Sequence, residues 1–466
     1  MKQRSTWGSS LGFLMAAVGA AVGLGNLWAF PHKLATTGGG AFLVVYGVLT
    51  VLVGVPVLMG EIAVGRRTGR GPVEAFRAMH PDWAWVGWAG VLAGGIVLAY
   101  YCVLGGVCIR YVLLFAGEVL GAPATGNGFY RLMTGQTREL VLYALLFAGI
   151  TGGVVLGGVQ RGIERFSLVA MPLLCGMLLL LAGYVALQPG AERGYALLFR
   201  PDWQYLRSHF MTVLVTAAGQ MFFSLSIAMG TMVVYGSYLD RRERISRDAA
   251  VIGAADTLIA LLASCVLIPA GFAFAEDGAE MSGCGLLFET MYQVFHRWGG
   301  RLGGSLGVLF FGVVFLAALT SGVSLLEAAV SAARDRGEKT GGVGREKGRV
   351  MDCALLAFLL CIPVAWDGLG NLPWRTPLAL LRQWLPGLPE QGWNGSFLGL
   401  YTFLSEGILM PLGALGMCLL LGYRCGTEPI ARECGVRPWI LGICYRVLGP
   451  AVILLVLYGQ IRTFLV

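Results

Sequence analysis

"AAVGAAVGLGNLWAFP", Ala16 to Pro31, lies inside the first strongly apolar run of the chain. A helix crossing lipid must satisfy its backbone hydrogen bonds internally, because hydrocarbon offers no partner. This stretch works against that requirement. Glycine costs about 1 kcal/mol against alanine inside a helix, yet Gly19, Gly23 and Gly25 are crowded together and followed by the lone polar Asn26. Gly19 and Gly23 also fit the small-xxx-small spacing of close helix packing. Alone, the run reads equally as a packing face or as a helix ready to unwind.

A second stretch separates the two readings. "AAGQMFFSLSIAMGTMVVYGSY", Ala217 to Tyr238, is another apolar run interrupted by Gly219, Gln220, Ser224, Ser226 and Gly230. Between and around the two lie further apolar runs, consistent with a chain of 466 residues that is 56% hydrophobic and only 13% charged, with mean hydropathy +0.72. Soluble domains carry about 25% charged residues. A bilayer core needs about 20 apolar residues per helix. By that rule eleven segments are expected, near 12–35, 41–65, 86–117, 140–158, 164–188, 209–238, 248–275, 304–333, 350–366, 397–423 and 438–463. The expected fold is an all-α polytopic membrane protein with short loops and one transmembrane domain.

Basic residues set the orientation. Lys2 and Arg4 precede the first segment, and arginines and lysines cluster after the second, fourth, sixth, eighth and tenth, as at Arg66, Arg67, Arg241, Arg242, Arg244 and Arg432. Trp366, Trp374, Trp384 and Trp393 fall in opposite loops and suit an interfacial belt. The expected topology has a cytoplasmic amino terminus and an external carboxyl terminus in the plasma (inner) membrane. A signal-peptide reading of the first run is disfavoured, because removing it spoils the alternation of loop charge. The net charge of +8 is scattered over short loops and describes no nucleic-acid surface. Most of the eleven cysteines sit in apolar runs, without a CxxC pair or an HExxH motif, and read as buried thiols.

The interrupted first and sixth segments are five segments apart. Five is odd, so the corresponding halves, 8–188 and 209–423, enter the bilayer with opposite orientation, leaving 438–463 as an eleventh helix. Paired interruptions in an inverted repeat point to a transport site near the midplane. Bared carbonyls there can hold a small cation, and bared N–H groups a carboxylate.

"GAAVGLGNLWAFP", "GGGAFLVVY", "PVLMGEIAVGR", "GQMFFSLS" and "LAALTSGVSLLEA" together resemble the neurotransmitter:sodium symporters, over nearly the whole chain, and the short form resembles the bacterial amino-acid branch. That resemblance implies a leucine-transporter-type fold and two co-transported Na+ ions. The first ion site is implied at Ala21, Asn26, Ser224 and Asp256, completed by the substrate carboxylate. Many members carry Asn where this chain has Asp256, and Ala260 occupies the place of a serine that helps to hold chloride. A fixed carboxylate substitutes for that anion, so chloride-independent transport is expected. The second ion site is implied at Gly19, Val22, Ala317, Thr320 and Ser321.

The resemblance implies a pocket for an amino-acid substrate formed by Ala20, Ala21, Gly23, Gly25, Val97, Tyr101, Phe223, Ser224, Ser226, Met229, Ser321 and Leu325. Its side-chain end carries no charge, so hydrophobic side chains are expected; Met229 favours breadth, and Ala228, where glycine is frequent, narrows the room. Arg4, Trp7 and Asp335 match a cytoplasmic gate, and Gly162 and Pro172 keep a Gly-x9-Pro hinge spacing. At the outer gate the expected arginine is Ala29, and Gly392 to Ser405 contains no acid, so closure by apolar packing under Phe223 is expected. Glu61 and Glu327 are assigned to a buried polar network near the first segment. The residues also leave open proton coupling through Asp256 or Glu61. A membrane enzyme or receptor finds no nucleophile–histidine pairing, cofactor motif or extramembrane domain in its favour.

Overall fold

The computed structural model describes residues 6–122, 129–274, 286–339, 346–387, 390 and 393–465. Among these, nine helices are long and apolar enough to cross a bilayer: Gly40–Thr68, Pro81–Val119, Thr137–Leu156, Val159–Ala186, Ile245–Ala273, Gly300–Gly337, Lys347–Trp366, Phe397–Arg424 and Pro438–Arg462. They correspond to the expected segments except the first and sixth. The first is a pair of helices, Ser10–Ala21 and Gly25–Thr36, bent by 51° at a short break. The sixth is Phe210–Ser224 followed by Thr231–Ser237, and neither piece is long enough to span alone. With the bent pair as one span there are ten among the described residues; the two pieces Phe210–Ser224 and Thr231–Ser237 are taken together as the sixth, and the spans are numbered in chain order below.

Each break has a local cause. Ser9 caps the first span by accepting from the Gly12 N–H, and the helix runs to Ala21 before Val22 turns extended (φ −78°, ψ 103°). A π-helical turn, Gly25–Ala29, restarts it, with Pro31 near the start of the next helix. In the sixth span the chain crosses Leu225–Gly230 with Ser226, Ala228 and Gly230 all at positive φ (52°, 60° and 76°). Two of these carry side chains, an unfavourable conformation that survives only where surroundings impose it.

The long third and eighth spans run along one another at the centre, and the fourth packs on the third through Gly105 and Gly106, which receive Phe147 and the Tyr143–Ala144 backbone. The ninth span lies at the rim and exposes Leu355, Leu356 and Leu359, an apolar face suited to lipid. The second span and the second half of the sixth, Thr231–Ser237, meet backbone to backbone. A methyl group on Gly65 would stand 1.9 Å from the Val233 carbonyl, and one on Gly236 2.3 Å from that of Ile62.

Candidate functional site

The two breaks face each other. Ser226 Oγ, on the sixth, donates to the Ala20 carbonyl on the first at 2.9 Å, and Gly25 lies under the Phe223 ring, which a methyl there would approach to 2.7 Å. Glu61 on the second span holds the strained turn: its Oε1 accepts from the Ala228 N–H at 2.7 Å. The Ala228 methyl abuts Gly413 of the tenth span, so its bulk is spent at that helix contact.

Beside the breaks, Asn26, Ser224 and Asp256 form one buried cluster. Asn26 Nδ2 donates to Asp256 Oδ1 at 2.7 Å and to Ser224 Oγ at 3.0 Å. Ser224 Oγ donates toward the Asp256 carboxylate at 2.9 Å. Asn26 Oδ1 accepts from the Gly23 N–H at 3.2 Å, so coordination of a cation by this amide oxygen requires a half-turn of the side-chain amide. Ala21 closes the first half-helix and is buried next to this cluster in sequence. Tyr46, which sequence reasoning missed, donates to Asp256 Oδ2 at 3.1 Å. The carboxylate therefore occupies hydroxyl donors from two other spans.

A second group of oxygens gathers across the first break. Ser321 Oγ lies 3.3 Å from the carbonyls of Gly19 and Ala20 and 3.4 Å from that of Val22. The neighbouring Thr320 donates to the Ala317 carbonyl at 2.9 Å, and its side chain borders Gly19. Asn26, Ser224 and Asp256 are thus brought together, as are Gly19, Val22, Ala317, Thr320 and Ser321, while among the described residues no hydrogen bond joins Ala21 to the first group. The oxygens are hard neutral ones plus one carboxylate, the chemistry that suits Na+ rather than a softer metal.

Between the groups lie the residues expected to line the substrate pocket. A methyl on Gly23 would stand 2.5 Å from Ser321 Oγ and 2.9 Å from the Tyr101 hydroxyl. At the other end Gly94 meets Leu325 and Met229. Val97, Tyr101, Phe223, Ser226, Met229, Ser321 and Leu325 are all buried, so both entrances are closed in this conformation.

The closures differ at the two ends. Trp7 donates through Nε1 to the Tyr235 carbonyl at 3.1 Å and packs its ring on Tyr235 and Phe13. Asp335 accepts from the Gly71 N–H at 2.6 Å; Arg4 lies outside the described residues. Glu164 adds a clasp that the sequence did not disclose, accepting from the Gly8 N–H at 2.8 Å and Ser9 Oγ at 2.9 Å. Nearby, Gly162 sits in the π-helical turn Val159–Glu164, and a methyl on it would lie 2.1 Å from the Val154 carbonyl. Pro172 is inside the adjoining helix Arg165–Ala186.

The opposite end, where a purely apolar closure is expected, carries polar groups as well. Lys33, one turn beyond Ala29, donates to Gln220 at 2.9 Å, while Glu406 accepts from the Tyr100 hydroxyl at 3.0 Å. Lys33 and Glu406 border one crevice. Gln220 also donates to the Gly25 carbonyl at 3.2 Å, tying this polar cluster to the break. The two further acids are likewise redistributed. Glu61 serves the sixth span rather than the first, and Glu327 accepts from the Tyr238 hydroxyl at 2.7 Å and pairs with Arg334 at 3.6 Å.

Paired helix interruptions inside an apolar bundle, with buried oxygen groups gathered at the interruptions, are the architecture of an ion-coupled secondary transporter. The chain belongs to the Sodium:neurotransmitter symporter family, whose family model matches residues 4–121 and 133–372. It is 33% identical over 440 residues to the sodium-dependent transporter YhdH of Bacillus subtilis, covering 92% of this chain and 89% of that protein. A sodium-dependent transporter of Haemophilus influenzae is 29% identical over 91% of this chain and 90% of its own length. The crystal structure of MhsT in complex with L-phenylalanine superposes with a TM-score of 0.86 at 31% identity, over 98% of this chain and 100% of that one. The protein is therefore a sodium-dependent symporter of the leucine-transporter fold, integral to a membrane.

Proposed function

We propose that this symporter imports hydrophobic amino acids, aliphatic and aromatic, together with two Na+ ions and without chloride, by alternating access in the plasma membrane. The single domain, 1–466, works as inverted halves 8–188 and 209–423 with 438–463 appended, the amino terminus inside and the carboxyl terminus outside.

The observation that carries this reading is the meeting of Asn26, Ser224 and Asp256 on one side of the pocket and of Ser321 with the Gly19 and Val22 carbonyls on the other. In the proposal the first cluster, with the Ala21 carbonyl and the substrate carboxylate, holds one Na+. The second, completed by Ala317 and Thr320, holds the other. Tyr101 and the bared amides between Gly23 and Gly25 receive the substrate carboxylate, and carbonyls near Ala20 and Phe223 its ammonium group. Val97, Met229 and Leu325 enclose an apolar side chain; a charged one would lose its hydration unpaired.

Asp256 supports chloride independence, because its carboxylate already accepts from Tyr46 and Ser224 and supplies the negative charge that balances Na+. Two ions also suit the energetics. A zwitterion carries no net charge, so driving force comes from the ions. Each Na+ moving down 100 mV yields about 2.3 kcal/mol, and a tenfold gradient adds about 1.4 kcal/mol. Two ions therefore permit accumulation of roughly 10⁵-fold, and one only some hundreds-fold.

Trp7 and Asp335, with Arg4, form the inner gate in this reading, and Gly162 to Pro172 is the segment that loosens to release the second ion. Lys33, Gln220 and Glu406 above Phe223 close the outside. The test is uptake of L-phenylalanine and L-leucine into proteoliposomes bearing an inward Na+ gradient. Uptake is expected to vanish when choline replaces Na+ at fixed pH and to persist when gluconate replaces chloride. Uptake driven by a pH gradient without Na+ would replace this reading with proton coupling through Asp256 or Glu61.

A further inference from the structure

One end of the molecule carries a concentration of positive charge that the transport site does not use. Arg66, Arg67, Arg241, Arg242, Arg244 and Arg432 line a cavity of about 660 Å³ where the second, sixth and tenth spans finish. Only two carboxylates line it, Glu243 and Glu433, and both are engaged. Glu433 pairs with Arg66 at 2.7 Å, and Glu243 accepts from Ser10 Oγ.

The arginines divide by role. Arg66 is structural: its side chain is 5% exposed, and it donates to the carbonyls of Glu243 at 2.7 Å and Asp240 at 3.4 Å, besides Glu433. It thereby fastens the loop after the sixth span to the second span and to helix Glu428–Cys434. Arg432 pairs with Glu428 at 3.4 Å. Arg67, Arg241, Arg242 and Arg244 are exposed, and none forms an ion pair among the described residues. Asp240 lies close by, but its carboxylate accepts from the Arg242 backbone N–H at 2.9 Å. Four exposed guanidinium groups stand near one another with only the carboxylates of Glu243 and Asp240 beside them, so positive charge stays in excess. A structure that keeps them on a fixed platform is suited to an anion that joins them.

We infer that this cluster binds the phosphate of an anionic lipid headgroup. Guanidinium forks match phosphate oxygens in geometry as well as charge. The position identifies the source: Arg67 lies in the last turn of the second span, the loop arginines follow the sixth by a few residues, and the exposed Tyr423 marks the end of the tenth. Basic groups at span ends lie at headgroup depth, where such clusters gather anionic lipid. A bound headgroup neutralises the loop arginines and, through Glu243 and Ser10, steadies the start of the first span.

The test uses the purified full chain in neutral detergent and potassium buffer, without Na+ or amino acid, so that its outcome is separate from that of the transport reading. The thermal unfolding midpoint is followed while dioctanoyl phosphatidylglycerol, dioctanoyl phosphatidylcholine or inorganic phosphate is added. Phosphatidylglycerol is expected to raise the midpoint saturably, with the other two inert at equal concentration. In the triple variant Arg67→Gln, Arg241→Gln, Arg244→Gln, half-saturation is expected at least tenfold higher. The loop pair Arg241→Gln, Arg244→Gln, which leaves the second span intact, serves if the triple variant does not fold, with a shift of at least threefold expected. An unshifted titration in the variants overturns the inference. So does an equal response to phosphatidylcholine, which assigns the effect to acyl chains, or to inorganic phosphate, which assigns it to a free anion.

Discussion

The two broken spans reach the same end by opposite means. The first opens by leaving atoms out: Gly19, Gly23 and Gly25 make room for Thr320, for Ser321 with Tyr101, and for Phe223, and none of the three needs a positive φ. The sixth opens by bending backbone into an unfavourable region at Ser226 and Ala228 and offsetting that cost with hydrogen bonds that it donates to the Ala20 carbonyl and the Glu61 carboxylate. Added atoms should therefore damage the first break, and lost hydrogen bonds the second.

The largest effect is expected at the first break. Gly23→Ala puts a methyl within 2.5 Å of Ser321 Oγ, and overpacking of this kind costs about 1–3 kcal/mol. Na+-dependent binding of L-phenylalanine, read by thermal titration, should weaken on the order of 100-fold; an affinity within threefold of the parent would separate Gly23 from the pocket. Next is Asp256→Asn. It keeps the shape but removes charge-assisted bonds worth about 1.5–3 kcal/mol, so the Na+ concentration for half-maximal uptake should rise tenfold or more. Tyr46→Phe should move it less.

At the sixth break, Glu61→Ala leaves the buried Ala228 N–H unpaired, a cost of about 1–3 kcal/mol. A lowered unfolding midpoint is expected, with Glu61→Gln recovering most of it, since an amide oxygen still accepts. If Gln is as damaging as Ala, the bond to Ala228 is not what holds the turn. The smallest effect runs in the other direction. Ala228→Gly relieves a left-handed alanine, worth about 1 kcal/mol, and should raise the midpoint slightly, whereas any glycine-to-alanine change at the first break lowers it.

Much of this was legible in the sequence because membrane helices make polarity conspicuous. Asn26, Ser224 and Asp256 stand out in apolar runs, and the structure brings them within hydrogen-bond reach of one another. Tyr46 was not legible, since a tyrosine in such a run ordinarily packs or reaches for the interface and nothing nearby marks its hydroxyl. The polar cluster around Lys33 and Glu406 was missed for a different reason. The family resemblance directed the search to Ala29, four residues short of Lys33 on the first span, and to Gly392–Ser405, a window that stops one residue short of Glu406. Glu164 escaped because its partners, Gly8 N–H and Ser9, belong to an end that no periodicity positions.

The seam at Gly65 and Gly236 has a mechanical consequence. Main chains packed this closely leave no room between them for a shift toward each other, so the second span and the second half of the sixth are expected to travel as one strut. Spin labels bracketing that seam should keep a constant separation through the working stroke, while labels across the Glu164 clasp drift apart, and the lever arm of the cycle is to be sought on the clasp's side of the strut.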